Sequence, residues 1–262
     1  MPGPAATRRA LLLGAAALPL APRRAAAAEL VVLSSGGLNA AYLLLAPDFG
    51  RATGHTLTTV NASSMGAAPD AIPQRLARGE PADVLLLADG GLPPLVARGL
   101  VRPDSRVDIA RSLIGLCVRA GAPVPDIATV DAFRRTLLDA ASVAYSASAS
   151  GVYIETEMYR RLGIHDQLMP KSRRILSERV ASVVARGEAE IGFQQVSEIL
   201  PIPGITYVGT IPEPVQQPTI FCAVVTANAR QPEAAAALIR VLASPEAAPV
   251  LRRTGLEPLV RG

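Results

Sequence analysis

Val84-Leu85-Leu86-Leu87-Ala88 is an unbroken apolar run between Asp83 and Asp89. A strand with one wet face alternates apolar and polar residues, so a run like this belongs to a strand covered on both faces. The rest of the chain supplies the cover. Leu30 to Ser34 reads as a strand and Leu38 to Ala52 as a helix that stops at Thr53-Gly54; Thr56 to Val60 is a strand, and Ile72 to Arg78 a helix stopped by Gly79-Glu80-Pro81. A helix at Pro93 to Arg98 follows. The second half repeats the pattern, with strands at Leu113 to Val118, Ser142 to Tyr145, Ala189 to Phe193 and Thr219 to Val225. Its helices fall at Val130 to Asp139, Val152 to Leu162, Arg179 to Ala185 and Pro232 to Ala243. This alternation predicts an α/β fold with largely parallel sheets.

The N-terminus reads as a separate element. Thr7-Arg8-Arg9-Ala10-Leu11-Leu12 opens an apolar run through Leu20, and Ala25-Ala26-Ala27-Ala28 follows it. A basic start, a short apolar core and small residues at its end make an export signal, cleaved most simply before Glu29. The run is shorter than the roughly 20 apolar residues of a membrane span, and Pro19, Pro22, Arg23 and Arg24 interrupt it. Paired arginines ahead of a modest apolar core predict the twin-arginine route into the periplasm, with general secretion as the alternative. Residues 1–28 also carry the charge excess. Arg8, Arg9, Arg23 and Arg24 leave with them and no acid does, so 26 basic residues become 22 against 22 acidic and the formal net charge falls from +4 to 0. A neutral chain with Lys171 as its single lysine has no basic stripe for a phosphate backbone, which excludes nucleic acid as a partner.

Two serine pairs stand where a strand hands over to a helix. Ser34-Ser35 and Ser63-Ser64 each follow a short apolar run. The first turn of a helix leaves backbone N–H groups unpaired at the positive end of its dipole, so an oxyanion can be held there by neutral donors alone. The ordinary alternative is that each pair is a helix N-cap, for which serine is a leading residue.

Little in the chain points to catalysis. His55 and His165 are the 2 histidines, and neither belongs to a nucleophile or metal motif. No Gly-x-Ser-x-Gly, His-Glu-x-x-His, Gly-x-Gly-x-x-Gly or P-loop is present. The serine-rich stretch Ser146 to Gly151 has no adjacent base, so no serine nucleophile is visibly activated. Asp83, Asp89 and Glu80 read as turn and strand-end caps. Cys117 and Cys222 lie inside apolar runs and permit a disulfide only if their strands are neighbours. These observations predict a chain that is not an enzyme, with no cofactor and no metal.

Val31-Val32-Leu33-Ser34-Ser35, Asn61-Ala62-Ser63-Ser64 and the stretch from Arg75 to Asp89 together resemble the periplasmic molybdate-binding proteins of ABC importers. The similarity continues through Ser150-Gly151-Val152-Tyr153, Arg160 to Ile164, Arg186 to Phe193 and the closing helix, nearly the whole mature chain. It implies a two-lobed type II periplasmic-binding-protein fold with a ligand cleft between the lobes. Residues 29–108 and 222–262 would form lobe 1 and 109–221 lobe 2, with crossings near Val107 to Leu113 and Pro218 to Cys222. The resemblance implies that Ser34 or Ser35, Ser63 or Ser64, Ser150 with Gly151, and the backbone of Val180 hold the anion. The tyrosine of the family falls on Gln194 or Gln195, and the loop from Met65 to Ile72 is longer than usual. A compact ring of neutral donors suits molybdate or tungstate. Arg179, beside Val180, suits a small organic carboxylate, since a guanidinium pairs with it bidentately. The expectation is a monomeric solute-binding protein serving a membrane permease, with molybdate-like oxyanions as first ligand class and a small carboxylate as alternative.

Overall fold

The computed structural model describes residues 27–176 and 178–259, so the export signal expected over residues 1–28 lies almost wholly outside the described residues. The chain begins with β1 (Glu29–Ser34) and turns at Ser35 into α1 (Gly36–Thr53). Helix α1 stops at Gly54, whose positive φ of 78° lets its N–H reach the Gly50 carbonyl. β2 (Thr56–Asn61), α2 (Ile72–Ala77), β3 (Val84–Ala88), α3 (Leu92–Ala97) and β4 (Val107–Ser112) complete the first half of this lobe.

The chain crosses at Leu113 into the second lobe. There β5 (Ile114–Arg119), α4 (Val130–Asp139), β6 (Val143–Ser146), α5 (Ala149–Tyr153), α6 (Tyr159–Arg161) and α7 (His165–Leu168) are followed by β7 (Ser172–Ile175). Next come α8 (Val180–Ala185), β8 (Ile191–Gln195), α9 (Val196–Ile199) and β9 (Ile205–Thr210). The chain returns through β10 (Thr219–Val225), α10 (Pro232–Leu242), α11 (Ala248–Arg253) and β11 (Glu257–Pro258).

The strands form two sheets, in the order β11-β4-β10-β3-β1-β2 and β7-β6-β8-β5-β9. This is the two-lobed α/β fold expected, with two corrections. Both sheets are mixed rather than largely parallel: β1 pairs parallel with β2 and β3, and β6 with β7 and β8, while β10, β4 and β11 run antiparallel, as does β5 against β8 and β9. Strands that enter or leave through the crossings come back against the direction of the βαβ units. The lobe boundaries also move. Cuts at 108/109 and 221/222 fall inside β4 and β10, both of which belong whole to the first sheet, so the crossings are Leu113 and the segment 211–218.

The unbroken apolar run Val84–Ala88 is the central strand β3. Leu85, Leu86 and Leu87 are fully buried, and they alternate between two cores. Leu86 packs with Leu38, Tyr42 and Leu238 under α1 and α10, whereas Leu85 and Leu87 pack with Ile72, Leu92 and Leu95 under α2 and α3. Each leucine contributes about 1.5–3 kcal/mol by leaving water. Asp83, just before this strand, is 1% exposed and accepts from the backbone N–H groups of Val31, Arg230 and Gln231, which fixes β1 and the entry to α10. Cys117 on β5 and Cys222 on β10 lie in different sheets as free thiols, and burial pushes each up to about 12.

Candidate functional site

Between the lobes lies a cleft of about 200 Å³. Asn61, Ser63 and Asp70 of the first lobe face Ser146, Ser148, Arg179, Gln194 and Glu198 of the second, with Gly36 at the start of α1. Helices α1 and α5 begin here, capped by Ser35 and Ser148, and neither serine bonds the amides of its own first turn. Those N–H groups are therefore available to an anion. Arg179 caps α8 without a side-chain bond to that helix and is, among the described residues, the one cation that lines the cleft; its Nη1 also reaches the Glu198 carbonyl at 3.5 Å.

The acids divide by what holds them. Glu178 is taken up by Arg186, which donates to both its oxygens at 2.9 and 3.0 Å. Asp70 lies on the long loop from Met65 to Ile72, and its Oδ1 is buried without a partner among the described residues. That loop is anchored from outside: Arg75 Nε donates to the Asp70 carbonyl, Arg78 Nη2 donates to the Pro69 carbonyl, and both arginines grip Glu80. Glu198, on α9, keeps a partly exposed face in the cleft while protein surrounds its carboxyl. Burial pushes that carboxyl above the usual carboxylate range, against the opposing pull of the Arg179 charge, the Gln194 side chain and the Gln195 backbone. Its Oε1 stands 1.9 Å from where a Cβ on Gly36 would lie, so only glycine at the start of α1 lets it approach this closely.

The structure distributes the expected ligand residues unevenly. Ser63 and Arg179 line the cleft. Ser35, Ser64, Ser150 and Gln195 line a smaller chamber that shares Gly36, Ser148 and Glu198 with it. Ser34, Gly151 and Val180 line neither, and each has another occupation. Ser34 is fully buried with its hydroxyl on the Ser35 carbonyl; Val180 is buried in the core of the second lobe. The space a Gly151 side chain would need is filled by the Ser146 carbonyl oxygen at 1.6 Å, so Gly151 lets α5 start close against β6. Of the two glutamines, Gln194 lines the cleft and accepts from Ala181 N at 3.3 Å, while the Gln195 amide donates to Thr219 at 2.9 Å. Glu198, Asp70 and Ser148 were not expected. An acid three residues beyond the end of a site strand, in a chain read as an anion binder, was the available signal for Glu198.

Residues 30–257 match the family described as bacterial extracellular solute-binding protein. Among solved structures, the chain is similar to the periplasmic molybdate-binding protein of Azotobacter vinelandii, with TM-score 0.69 and 22% identity over 87% of this chain and 98% of that one. It is also similar to the sulfate-binding protein SubI of Mycobacterium tuberculosis H37Rv, with TM-score 0.68 and 18% identity over 88% and 87% of the two chains. At these identities the likeness is one of fold. A curated protein of Pseudomonas sp named aconitate isomerase is 48% identical over 251 residues, 95% of this chain and 96% of its own length. That relative overturns the expectation of a chain that is not an enzyme. Membership implies a small ligand, a location outside the cytoplasm and an ABC permease as partner. With the family match spanning both lobes and the cleft, the chain belongs to the bacterial extracellular solute-binding proteins.

Proposed function

We propose that the chain isomerises aconitate, or a closely related unsaturated tricarboxylate, in the interlobe cleft, with Glu198 as the proton-transfer group. The observation that carries this reading is a carboxyl held against the N-terminus of α1 in a cleft lined by Arg179, where a protein that only binds an anion would gain nothing from a negative charge. The 48% identical relative named aconitate isomerase supports it.

The chemistry follows from the substrate. Aconitate carries a methylene group beside its double bond, and the bond and the carboxyls acidify that methylene. Removing one proton gives an anion delocalised over three carbons, and returning it at the other end moves the double bond. The new bond is cis or trans according to the torsion of the methylene arm when its proton leaves. The protein must therefore hold the arm and supply a base. Desolvation makes Glu198 a stronger base than an ordinary carboxylate, and a positioned base contributes roughly 10²–10⁴ in rate. Arg179 and the free amides at the starts of α1 and α5 take up the charge that builds on the carboxyls, and each fixed donor of this kind is worth roughly 10²–10³. Thiol addition to the double bond has no group to perform it, because both cysteines are buried in the sheets.

The test is direct. Purified mature protein mixed with cis-aconitate and followed by proton NMR should yield the trans isomer, and Glu198→Gln should abolish conversion while leaving the ligand bound. Binding without conversion by the unaltered protein would refute the enzymatic reading in favour of a carboxylate carrier.

A further inference from the structure

The chamber that shares Glu198 with the cleft has a volume of about 10 Å³, close to the room that one water needs. Ser35 and Gln195 in its wall are 3% and 2% exposed, and Ser35 Oγ and Gln195 Oε1 have no hydrogen-bond partner among the described residues. Three other polar atoms of the wall are committed, and Ser148 is only partly buried. Ser64 Oγ accepts from Ala88 N at 2.8 Å, Ser150 Oγ pairs with Ser146 Oγ at 3.2 Å, and Gln195 Nε2 donates to Thr219 Oγ1 at 2.9 Å. Buried polar atoms in folded proteins nearly always find a partner, so two orphans lining one water-sized chamber call for a shared one.

We propose that the chamber holds a single buried water that accepts from the Ser35 hydroxyl and donates to Gln195 Oε1 and the Glu198 carboxylate, making Ser35 and Gln195 positioning residues for proton transfer. The donor count admits this arrangement. An amide oxygen and a carboxylate can only accept, so a water's two protons serve both and its lone pair is left for Ser35. Three partners is the usual complement of a buried water. The inference rests on the reading of Glu198 as the base, and it adds how that base is held from the side away from the substrate.

Because the water donates to the charged form of Glu198, losing it should make the carboxyl easier to protonate. The charged groups that share the cleft with Glu198 are Arg179, Asp70 and Glu178, the last paired with Arg186, and none is altered by the variants below. The experiment is a carbon-13 NMR titration of the Glu198 carboxyl in the mature protein, assigned with Glu198→Gln, together with the pH profile of kcat and a high-resolution crystal structure. Ser35→Ala and Gln195→Met should each raise the Glu198 pKa and move the acid limb of kcat upward, by about one pH unit or tenfold in rate below the limb. Thr219→Val removes the Gln195 amide's partner but keeps Oε1, so it should leave the titration where it is; a shift equal to that of Gln195→Met would mean a structural role only and overturn the proposal. A chamber without solvent density, or wild-type titration in both Ser35→Ala and Gln195→Met, would also overturn it. If the protein does not convert aconitate, the proposed activity falls, while the NMR titration and the density still decide the water.

Discussion

Gly36→Ala puts a methyl group where the Glu198 carboxyl now lies. An ideal Cβ at that position is 1.9 Å from Glu198 Oε1 and 2.8 Å from its carboxyl carbon, so the oxygen must retreat about 1.1 Å to reach even a tight 3.0 Å contact. The obstacle is the end of a flexible side chain rather than backbone, and Gly36 does not have a positive φ, so the helix accepts alanine without strain. Alanine stabilises a helix over glycine by about 0.5–1 kcal/mol. The melting temperature should therefore hold or rise by roughly 1–4 °C for a chain of this size. Catalysis should fare differently, since a misplacement of about 1 Å costs on the order of a hundredfold. The assay pairs kcat for cis to trans conversion with a thermal melt. Gly54→Ala at the other end of α1 is the control: nothing lies within 4 Å of its Cβ, but its φ of 78° makes alanine cost about 1 kcal/mol of stability while kcat stays unchanged. Full activity in a Gly36→Ala protein that melts normally would refute the assignment of Glu198 as base.

Arg179→Ala should weaken carboxylate binding by roughly ten- to a hundredfold, as expected for loss of a charge-assisted pair, and Arg179→Lys should recover only part of it; titration calorimetry with trans-aconitate measures both. Asp83→Ala should cost about 3–5 kcal/mol in urea unfolding, because it strands three backbone N–H groups in the first lobe without touching the cleft. Stability should also fall on the alkaline side. The unfolded chain releases its thiol protons near 9.0 while the folded chain keeps those of Cys117 and Cys222 to about 12, so the folded state binds more protons in that window. The loss is about 1.4 kcal/mol per pH unit for each thiol, and replacing both by alanine should flatten this part of the curve in denaturant titrations under reductant.

The elements that the sequence made legible are those with strong periodicity or none at all. β3, β10 and α4 fall at the residues expected, because an unbroken apolar run or a clean amphipathic face leaves few alternatives. β7 and β9 were not foreseen. They are the two edges of the second sheet, and Arg173 and Arg174 face outward from β7, so the alternation that marks a strand is diluted. The helix expected at Val152 to Leu162 begins earlier, at Ala149, and widens into a π turn over Ile154–Met158, which no local pattern announces. The serines could be found because strand ends place them, and strand ends are local. Glu198 could not, since the helix start that its carboxyl packs against lies 160 residues away in the chain: Ser197 Oγ donates to the Gly37 carbonyl at 2.8 Å, bringing the two segments together.

Helix α9 is a bracket at the pivot. Val196 N donates to the carbonyl of Leu113, the first crossing residue, and the Gln195 amide donates to Thr219, where the chain has just returned. A point beside the axle of a hinge moves least when the plates swing. On the proposed reading, Ser197 and Glu198 stay seated on the first turn of α1 while the outer walls, Asn61 to Asp70 on one side and Ser146 to Ser148 with Arg179 on the other, separate to exchange product for substrate. The proposed base then need not be rebuilt at each turnover. On the proposed reading, a two-lobed binding scaffold can act on its ligand because one side chain is mounted where closing and opening leave it undisturbed.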